Sequence, residues 1–306
     1  MMPTLYLYVG LPASGKSTHA KLLAEEIDGV IVSSDGIRAE WYGDEAIQGD
    51  AGKIFREVEL RCKNALGAGR SVIMDATNMN AKKRTNFLRQ MPECKKVCVV
   101  MAVPFNECLA RDEVRSRSVG PEVMEKMRKS FQMPYYNEGW DHIEIYYPKD
   151  CEMVDASEHF EIESEFDQRN HHHSLTVGDH EEKARMIAVE RGYGHIVSWI
   201  AAFHDCGKIW CQVTKEGDPD AHYYNHDSVS AYQFLTMDAA QWMYDIGNKV
   251  QVIEAAALIT WHMAPYQFKK ETNPHRVFTD WAINHKFDRD FIDHLWQLHE
   301  CDVAAH

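Results

Sequence analysis

The 306-residue sequence contains no apolar run approaching the roughly 20 residues that a membrane span requires, and nothing in it points to a membrane partner. It has no CxxC pair among its eight cysteines, and no secreted-type disulfide framework is expected. The thiols read as reduced, in a cytoplasmic protein. Met1-Met2-Pro3-Thr4 has no basic lead and no small-residue cleavage site, so Leu5–Val9 reads as a strand and not as a signal peptide. No internal repeat or low-complexity tract is present. Positive charge is also scarce: the net charge is −14. Proteins that coat nucleic acid are usually basic. A nucleic-acid partner would have to be held through local clusters such as Lys82-Lys83-Arg84 or Arg111–Arg117. Such binding should depend only shallowly on salt.

What is present divides into two halves. Residues 1–150 carry 21 Lys+Arg and 21 Asp+Glu, whereas residues 151–306 carry 12 and 26, together with 15 of the 17 histidines. The length suffices for two cores. In the first half short apolar strands at Tyr6–Val9, Val30–Val32, Ser71–Met74, Lys96–Val103 and His142–Tyr146 alternate with helical spacing at 17–27, 51–66, 105–117 and 121–132. Strands alternating with helices predict an α/β fold with a parallel doubly wound sheet. From Cys151 to Asn170 the periodicity decays among acidic residues, so 151–169 is expected to be a linker. Residues 170–306 read as an all-α domain, with helices near 178–191, 195–206, 226–235, 238–246, 249–262 and 279–300.

Gly10-Leu11-Pro12-Ala13-Ser14-Gly15-Lys16-Ser17 fits GxxxxGK[ST] at a strand–helix junction. Glycines let backbone N–H groups turn inward around phosphate oxygens, and the helix that follows presents its positive end. Gly10, Ala13, Ser14, Gly15, Lys16, Ser17 and Thr18 are the expected contacts to ATP or another NTP. Lys16 would reach the β- and γ-phosphates, and Ser17 would ligate Mg2+.

Ser33-Ser34-Asp35-Gly36-Ile37-Arg38 follows the second strand, where ligands gather in such sheets. Asp35 there can accept the proton of an attacking hydroxyl, and Arg38 can hold an acceptor phosphate. Alternatively, Asp35 is a helix N-cap and Arg38 a surface cation. Asp75 ends the apolar strand Val72–Met74, placed to assist Mg2+ or the active-site water, or else to cap a turn. Arg111 and Arg115, four apart on one predicted helix face, would form a lid that neutralises the transferring phosphoryl group, or a solvated charged helix.

Taken in order, the P-loop, Asp35 and Arg38, Asp75–Asn78, Arg111 and Arg115, and Val119-Gly120-Pro121-Glu122 resemble the phage-type polynucleotide 5′-kinases over about residues 1–150. The resemblance implies that Asp35 is the general base for a 5′-hydroxyl, that Arg38 contacts the acceptor phosphate, and that Arg111 and Arg115 form the lid. The motifs through Arg38 are shared with small-molecule kinases.

In the second half, Phe203-His204-Asp205-Cys206-Gly207-Lys208 is flanked by His180, His226, His262 and Asp302. Imidazoles and carboxylates on facing helices are how bundle cores build metal sites. The order resembles the HD-domain metal-dependent phosphohydrolases over about residues 170–306. The resemblance implies ligation by His180, His204, Asp205 and Asp302, with His226 and His262 as the added ligands of its two-metal branch. Mixed nitrogen and oxygen donors suit Mn, Fe, Co, Ni or Zn. Lys208 would bind the substrate phosphate or act as a helix-end cation. His171-His172-His173 would contact substrate, support the ligands or lie in a solvated loop.

Kinase–HD fusions that heal broken nucleic-acid ends form a known family, and the chain resembles one. The resemblance implies transfer of phosphate to a 5′-OH and removal of a 3′-phosphate or 2′,3′-cyclic phosphate, leaving RNA or DNA ends for a ligase. The alternatives are a small-metabolite or nucleoside kinase joined to an HD nucleotidase or phosphodiesterase, and an ATP-sensing module without turnover.

Overall fold

The computed structural model describes residues 2–170 and 174–306. The chain divides into two compact units, residues 1–127 with 134–151, and residues 128–133 with 152–306.

The first unit runs β1 (Thr4–Val9), α1 (Lys16–Ile27), β2 (Val30–Ser33), α2 (Ser34–Tyr42), α3 (Ala51–Gly67), β3 (Val72–Asp75), α4 (Ala81–Gln90), β4 (Lys95–Met101), α5 (Phe105–Glu113), α6 (Pro121–Arg128, whose last residue belongs to the second unit) and β5 (His142–Tyr146). The five strands lie in the order β2-β3-β1-β4-β5, all parallel. Parallel sheets are covered on both faces, which is why their strands read as continuous apolar runs. Tyr8, Ile73, Val97, Val99 and Met101 pack on one face with Ala20, Leu23 and Ile27 of α1. Ser33 and Asp75 pair in register at the carboxyl ends of β2 and β3. That edge, next to the turn from β1 into α1, is where a doubly wound sheet collects its ligands.

The second unit contains α7 (Ala156–Glu165), α8 (Val177–Glu190), α9 (His195–Ala201), β6 (Gln212–Thr214), β7 (Ala221–Tyr223), α10 (His226–Leu235), α11 (Asp238–Asp245), α12 (Lys249–Trp261), α13 (Pro274–Asn284) and α14 (Arg289–Ala305). Helices α8, α9, α10, α12 and α14 pack on one another. The central helix α12 is buried throughout Ala255–Thr260, so it is apolar all round rather than amphipathic.

Several sequence expectations are corrected. The stretch 151–169 is no linker: Asp155 caps α7, and α7 packs on α8 within the second unit. Acidic residues on its solvent side had masked its helical period. The second unit is not purely helical, because β6 and β7 form a short antiparallel hairpin. Three-residue strands are too short to show a period of two. The expected helix 279–300 is two helices, divided at His285–Asp288 around Lys286, whose φ is +63°. His171, His172 and His173 lie outside the described residues.

Among the described residues, no helix is long and apolar enough to cross a membrane.

Candidate functional site

The phosphate loop is built as its glycines require. Gly15 (φ +85°) caps α1, so the helix begins at Lys16. A side chain at Gly10 would come within 2.9 Å of Ser14 Oγ and 3.0 Å of Met101 Cβ. Gly10 N–H donates to Thr77 O, which ties the loop to the segment after β3. Lys16 is buried, and its Nζ donates to Leu11 O at 2.5 Å. Burial lowers its pKa to about 8, with Asp75 opposing the shift and Arg115 adding repulsion. Asp75 and Arg115 therefore both act on the P-loop lysine. Asp75 is itself buried. Ser17 and Thr18 occupy the first turn of α1.

Ser33, and not Asp35, caps α2: its side chain accepts from the Asp35 and Gly36 N–H groups. The capping alternative for Asp35 is thereby removed. Arg38 is buried and donates to Asp35 Oδ1 at 2.5 Å. Arg117 approaches Asp35 Oδ2 at 3.2 Å. The acid thus stands between two guanidiniums.

The expected lid is rearranged. Helix α5 ends at Glu113, so Arg115 lies beyond it and no shared face with Arg111 exists. Arg111 is held by Glu107 at 2.6 Å and by Asp150 at 3.2 Å. Arg115 lies 3.6 Å from Asp112, whose other oxygen accepts from Ser118 Oγ and from the Val119 and Gly120 N–H groups. These bonds to a buried acid end the helix and turn Arg117 toward Asp35. Sequence spacing missed Arg117 because it assumed a continuing helix.

In the cluster Lys82-Lys83-Arg84 only the two lysines are exposed. Arg84 is 1% exposed and makes a two-pronged pair with Glu138, Nε to Oε2 at 2.8 Å and a terminal nitrogen to Oε1 at 2.6 Å. It also donates to Asn78 O and Met79 O, which fixes the chain after Asp75.

In the second unit the six candidate ligands converge. His180 lies on α8 and Asp302 on α14. His226 opens α10 and His262 follows α12. His204 and Asp205 lie in the turn after α9, and not on a helix as expected. The Nδ1 atoms of His204, His226 and His262 lie 3.0, 2.7 and 2.7 Å from the carbonyls of Ala201, Tyr223 and Ile259, each three residues earlier. A carbonyl only accepts, so each Nδ1 carries the proton and each Nε2 faces the cluster. That is how metal-ligating histidines are oriented.

Asp205 joins two sets. Its Oδ2 lies 3.6 Å from His180 Nε2 and 3.6 Å from His204 Nε2, and both rings approach Asp302 Oδ1, at 3.1 and 3.6 Å. Its Oδ1 lies 3.1 Å from His226 Nε2 and 3.6 Å from His262 Nε2. His204 Nε2 and Asp205 Oδ1 are buried yet lack any aligned hydrogen bond. Buried polar atoms that converge without bonding fit a metal between them. Two groups of donors, each within 4.8 Å, share Asp205.

Burial opposes charge on Asp205, yet Lys208 and His204 hold its carboxyl well below the usual carboxylate range. Burial is likewise outweighed at Asp302, by His180 and His204, and at His204, whose pKa rises through Asp205 and Asp302. Lys208 lies 2.6 Å from Asp205 Oδ2 and donates to Gln168. Tyr266 donates to Asp302 Oδ2 at 2.8 Å, and His306 stands 3.6 Å from Asp302. Gly207 explains the glycine of the HDxGK run: a Cβ there would meet Ser230 N at 2.4 Å and His226 O at 2.8 Å. Only glycine lets this turn approach α10. A cavity of about 340 Å3 opens on the cluster, lined among others by Asp205, Lys208, His226, Tyr266 and Asp302, with Tyr223 and Tyr224 of the hairpin region beside them. Gln168, Tyr266, His306 and the hairpin tyrosines carry no sequence motif and were not anticipated.

A family model described as an AAA domain matches residues 5–134. Among solved structures, similarity is found to a chain of the Pnkp1/Rnl/Hen1 RNA repair complex, 25% identical over 42% of this chain and 44% of that one, with a TM-score of 0.39. A gluconokinase from Sinorhizobium meliloti is 14% identical over 47% of this chain and 82% of its own, with a TM-score of 0.35. Shikimate kinase from Acinetobacter baumannii is 20% identical over 48% and 86%, with a TM-score of 0.35. The chain spans less than half the length of the repair-complex chain. Comparison with curated proteins gives no match. With its parallel sheet and phosphate loop, the first unit is a kinase-like P-loop domain.

Proposed function

We propose that this protein is a bifunctional end-healing enzyme. Its first unit phosphorylates 5′-hydroxyl ends with Mg·ATP, and its second, an HD-type phosphohydrolase, clears 3′-phosphate or 2′,3′-cyclic phosphate ends. The observation that carries the reading is Asp205, whose two oxygens face two separate donor sets on a chain that also holds a phosphate loop.

In the kinase site Lys16 and the loop N–H groups would hold the β- and γ-phosphates, with Ser17 and Asp75 on the Mg2+ side. An acceptor phosphate would draw Arg38 away from Asp35 and leave Oδ1 to take the hydroxyl proton. Arg117 would keep the carboxylate oriented through Oδ2 while Arg115 faces the transferring group.

In the second site His180, His204, Asp205 and Asp302 would hold one divalent metal and Asp205, His226 and His262 the other. Such a pair supplies a water of lowered pKa and neutralises charge on phosphorus oxygens. Lys208 would leave Asp205 to bind the substrate phosphate. Tyr266 would orient Asp302, and the hairpin tyrosines would bound the side of the cavity where a nucleoside sits.

A second reading, a small-metabolite or nucleoside kinase joined to an HD nucleotidase, is favoured by one observation. Burial of Arg84 leaves only Lys82 and Lys83 exposed in one of the two cationic clusters available for a strand. Both readings share the division of labour, which Lys16→Ala and Asp205→Ala test. The first should abolish phosphorylation and spare phosphate release, and the second the reverse. If either folded variant lost both activities, the two-site reading would fail.

A further inference from the structure

Beside the Asp205 cluster lies a second buried polar group that the proposed reactions do not use. His159 and Glu163 stand one turn apart on α7, and Cys206 follows Asp205. Glu163 and Cys206 are fully buried and His159 is 3% exposed. A ring nitrogen, a carboxylate oxygen and the Cys206 sulfur lie within 4.8 Å of one another. His159 Nε2 approaches Glu163 Oε1 at 2.9 Å but without the alignment of a hydrogen bond, and both Glu163 oxygens lack any hydrogen-bond partner. A buried carboxylate with no bonds is among the costliest groups a core can contain. Here the oxygens converge with a nitrogen and a sulfur.

We infer that His159, Glu163 and Cys206 hold a third divalent cation of the zinc class, structural in role and distinct from the Asp205 pair. One imidazole, one carboxylate and one thiolate is a donor set that zinc accepts, and a site closed to solvent has no room for a substrate, which makes the role structural. Binding would release the thiol proton to solvent as sulfur bonds the metal. It would also break the contact in which the thiol donates to Ser230 O at 3.5 Å. Glu181, whose Oε2 is also unpartnered, is a further buried acid, and its Oε1 accepts from Asp205 N–H at 2.8 Å. The cation would therefore fix α7 to the turn that presents Asp205. At Gly178 a Cβ would fall 2.9 Å from Ser164 N, so α8 already meets the end of α7 at backbone contact.

The test is cobalt reconstitution of the full chain, read by metal content and absorption. Of the three sites only this one includes sulfur. The native chain should show a sulfur-to-cobalt charge-transfer band. Cys206→Ser should lose that band and one cobalt per chain, while His262→Ala should keep it. Absence of the band from the native chain, or its persistence in Cys206→Ser, would overturn the inference. Should Cys206→Ser fail to fold, His159→Gln and Glu163→Gln must remove the same equivalent, and an unchanged band in either folded variant would overturn it. Failure of the Asp205 reading is distinguishable: cobalt would then bind only with the sulfur band.

Discussion

The Nε2 atoms of His226 and His262 lie 3.1 Å apart, and each ring has its Nδ1 engaged by a backbone carbonyl. Each carbonyl fixes the proton on Nδ1, so two ring lone pairs face one another beside Asp205 Oδ1. A shared proton or a shared metal reconciles them, and the burial of both rings together with the acid favours the metal. His262→Ala is therefore expected to lower bound metal by one equivalent per chain and to abolish phosphate release. ATP-dependent phosphorylation should be unchanged. Metal analysis beside the two assays checks this.

Gly207 permits the backbone contact on which that arrangement depends. Gly207→Ala forces a Cβ against Ser230 N and His226 O, backbone atoms that cannot rotate away. Metal affinity in the second unit should fall by about 10–100-fold, the size seen when groups that orient ligands are lost. Titration with Mn2+, followed calorimetrically, measures it.

Arg117→Ala should lower kinase kcat by about 10²-fold, as misplacement of a reacting group does, because Arg117 holds the Asp35 carboxylate through Oδ2. Arg111→Ala should cost less than about tenfold, because Glu107 and Asp150 already occupy that guanidinium. A loss in Arg111→Ala as large as that in Arg115→Ala would restore the lid expected from sequence spacing.

Lys16 gives the phosphate loop a pH dependence of definite sign. Its folded pKa, about 8, lies below the ordinary lysine value because burial disfavours the charged amine. The amine is charged below that value and neutral above it. ATP affinity should therefore fall as pH rises through about 8, and binding near that pH should take up a proton. Lys16→Met should flatten the profile. For folding the sign is opposite: the burden of the charged amine is present in full below the folded pKa and is relieved as pH rises from it toward the unfolded value.

Arg84 and Glu138 form a fully buried ion pair. Removing one partner of such a pair typically costs about 3–5 kcal/mol, whereas replacing both by apolar groups is often near neutral. Arg84→Ala should lower the thermal midpoint of the first unit markedly. Arg84→Met with Glu138→Leu should recover most of the loss, although kinase activity should stay impaired, because Arg84 also holds the carbonyls of Asn78 and Met79.

The parallel sheet was legible because buried strands repeat apolar residues without interruption, and the phosphate loop because its glycines have a local mechanical cause. The six metal-site candidates were legible as residue types but not as geometry. His204 and Asp205 leave α9 for a turn, and His262 follows α12, so helical phase did not describe them. Arg117 was hidden because Asp112 ends α5 through bonds to residues six to eight positions later. Arg84 looked like a surface cation because its partner lies 54 residues away. Helix α7 was lost among acidic residues, and only its packing on α8 distinguishes the buried His159 and Glu163 from the exposed ones.

The most direct measurement is mass analysis of one oligonucleotide bearing a 5′-hydroxyl and a 3′-phosphate, incubated with the protein, Mg·ATP and Mn2+. The expected product carries a new 5′-phosphate and a 3′-hydroxyl, with Lys16→Ala blocking only the first change and Asp205→Ala only the second. Phosphorylation of mononucleosides but never of the oligonucleotide, or a 3′-phosphate that persists in the metal-loaded enzyme, would contradict the account.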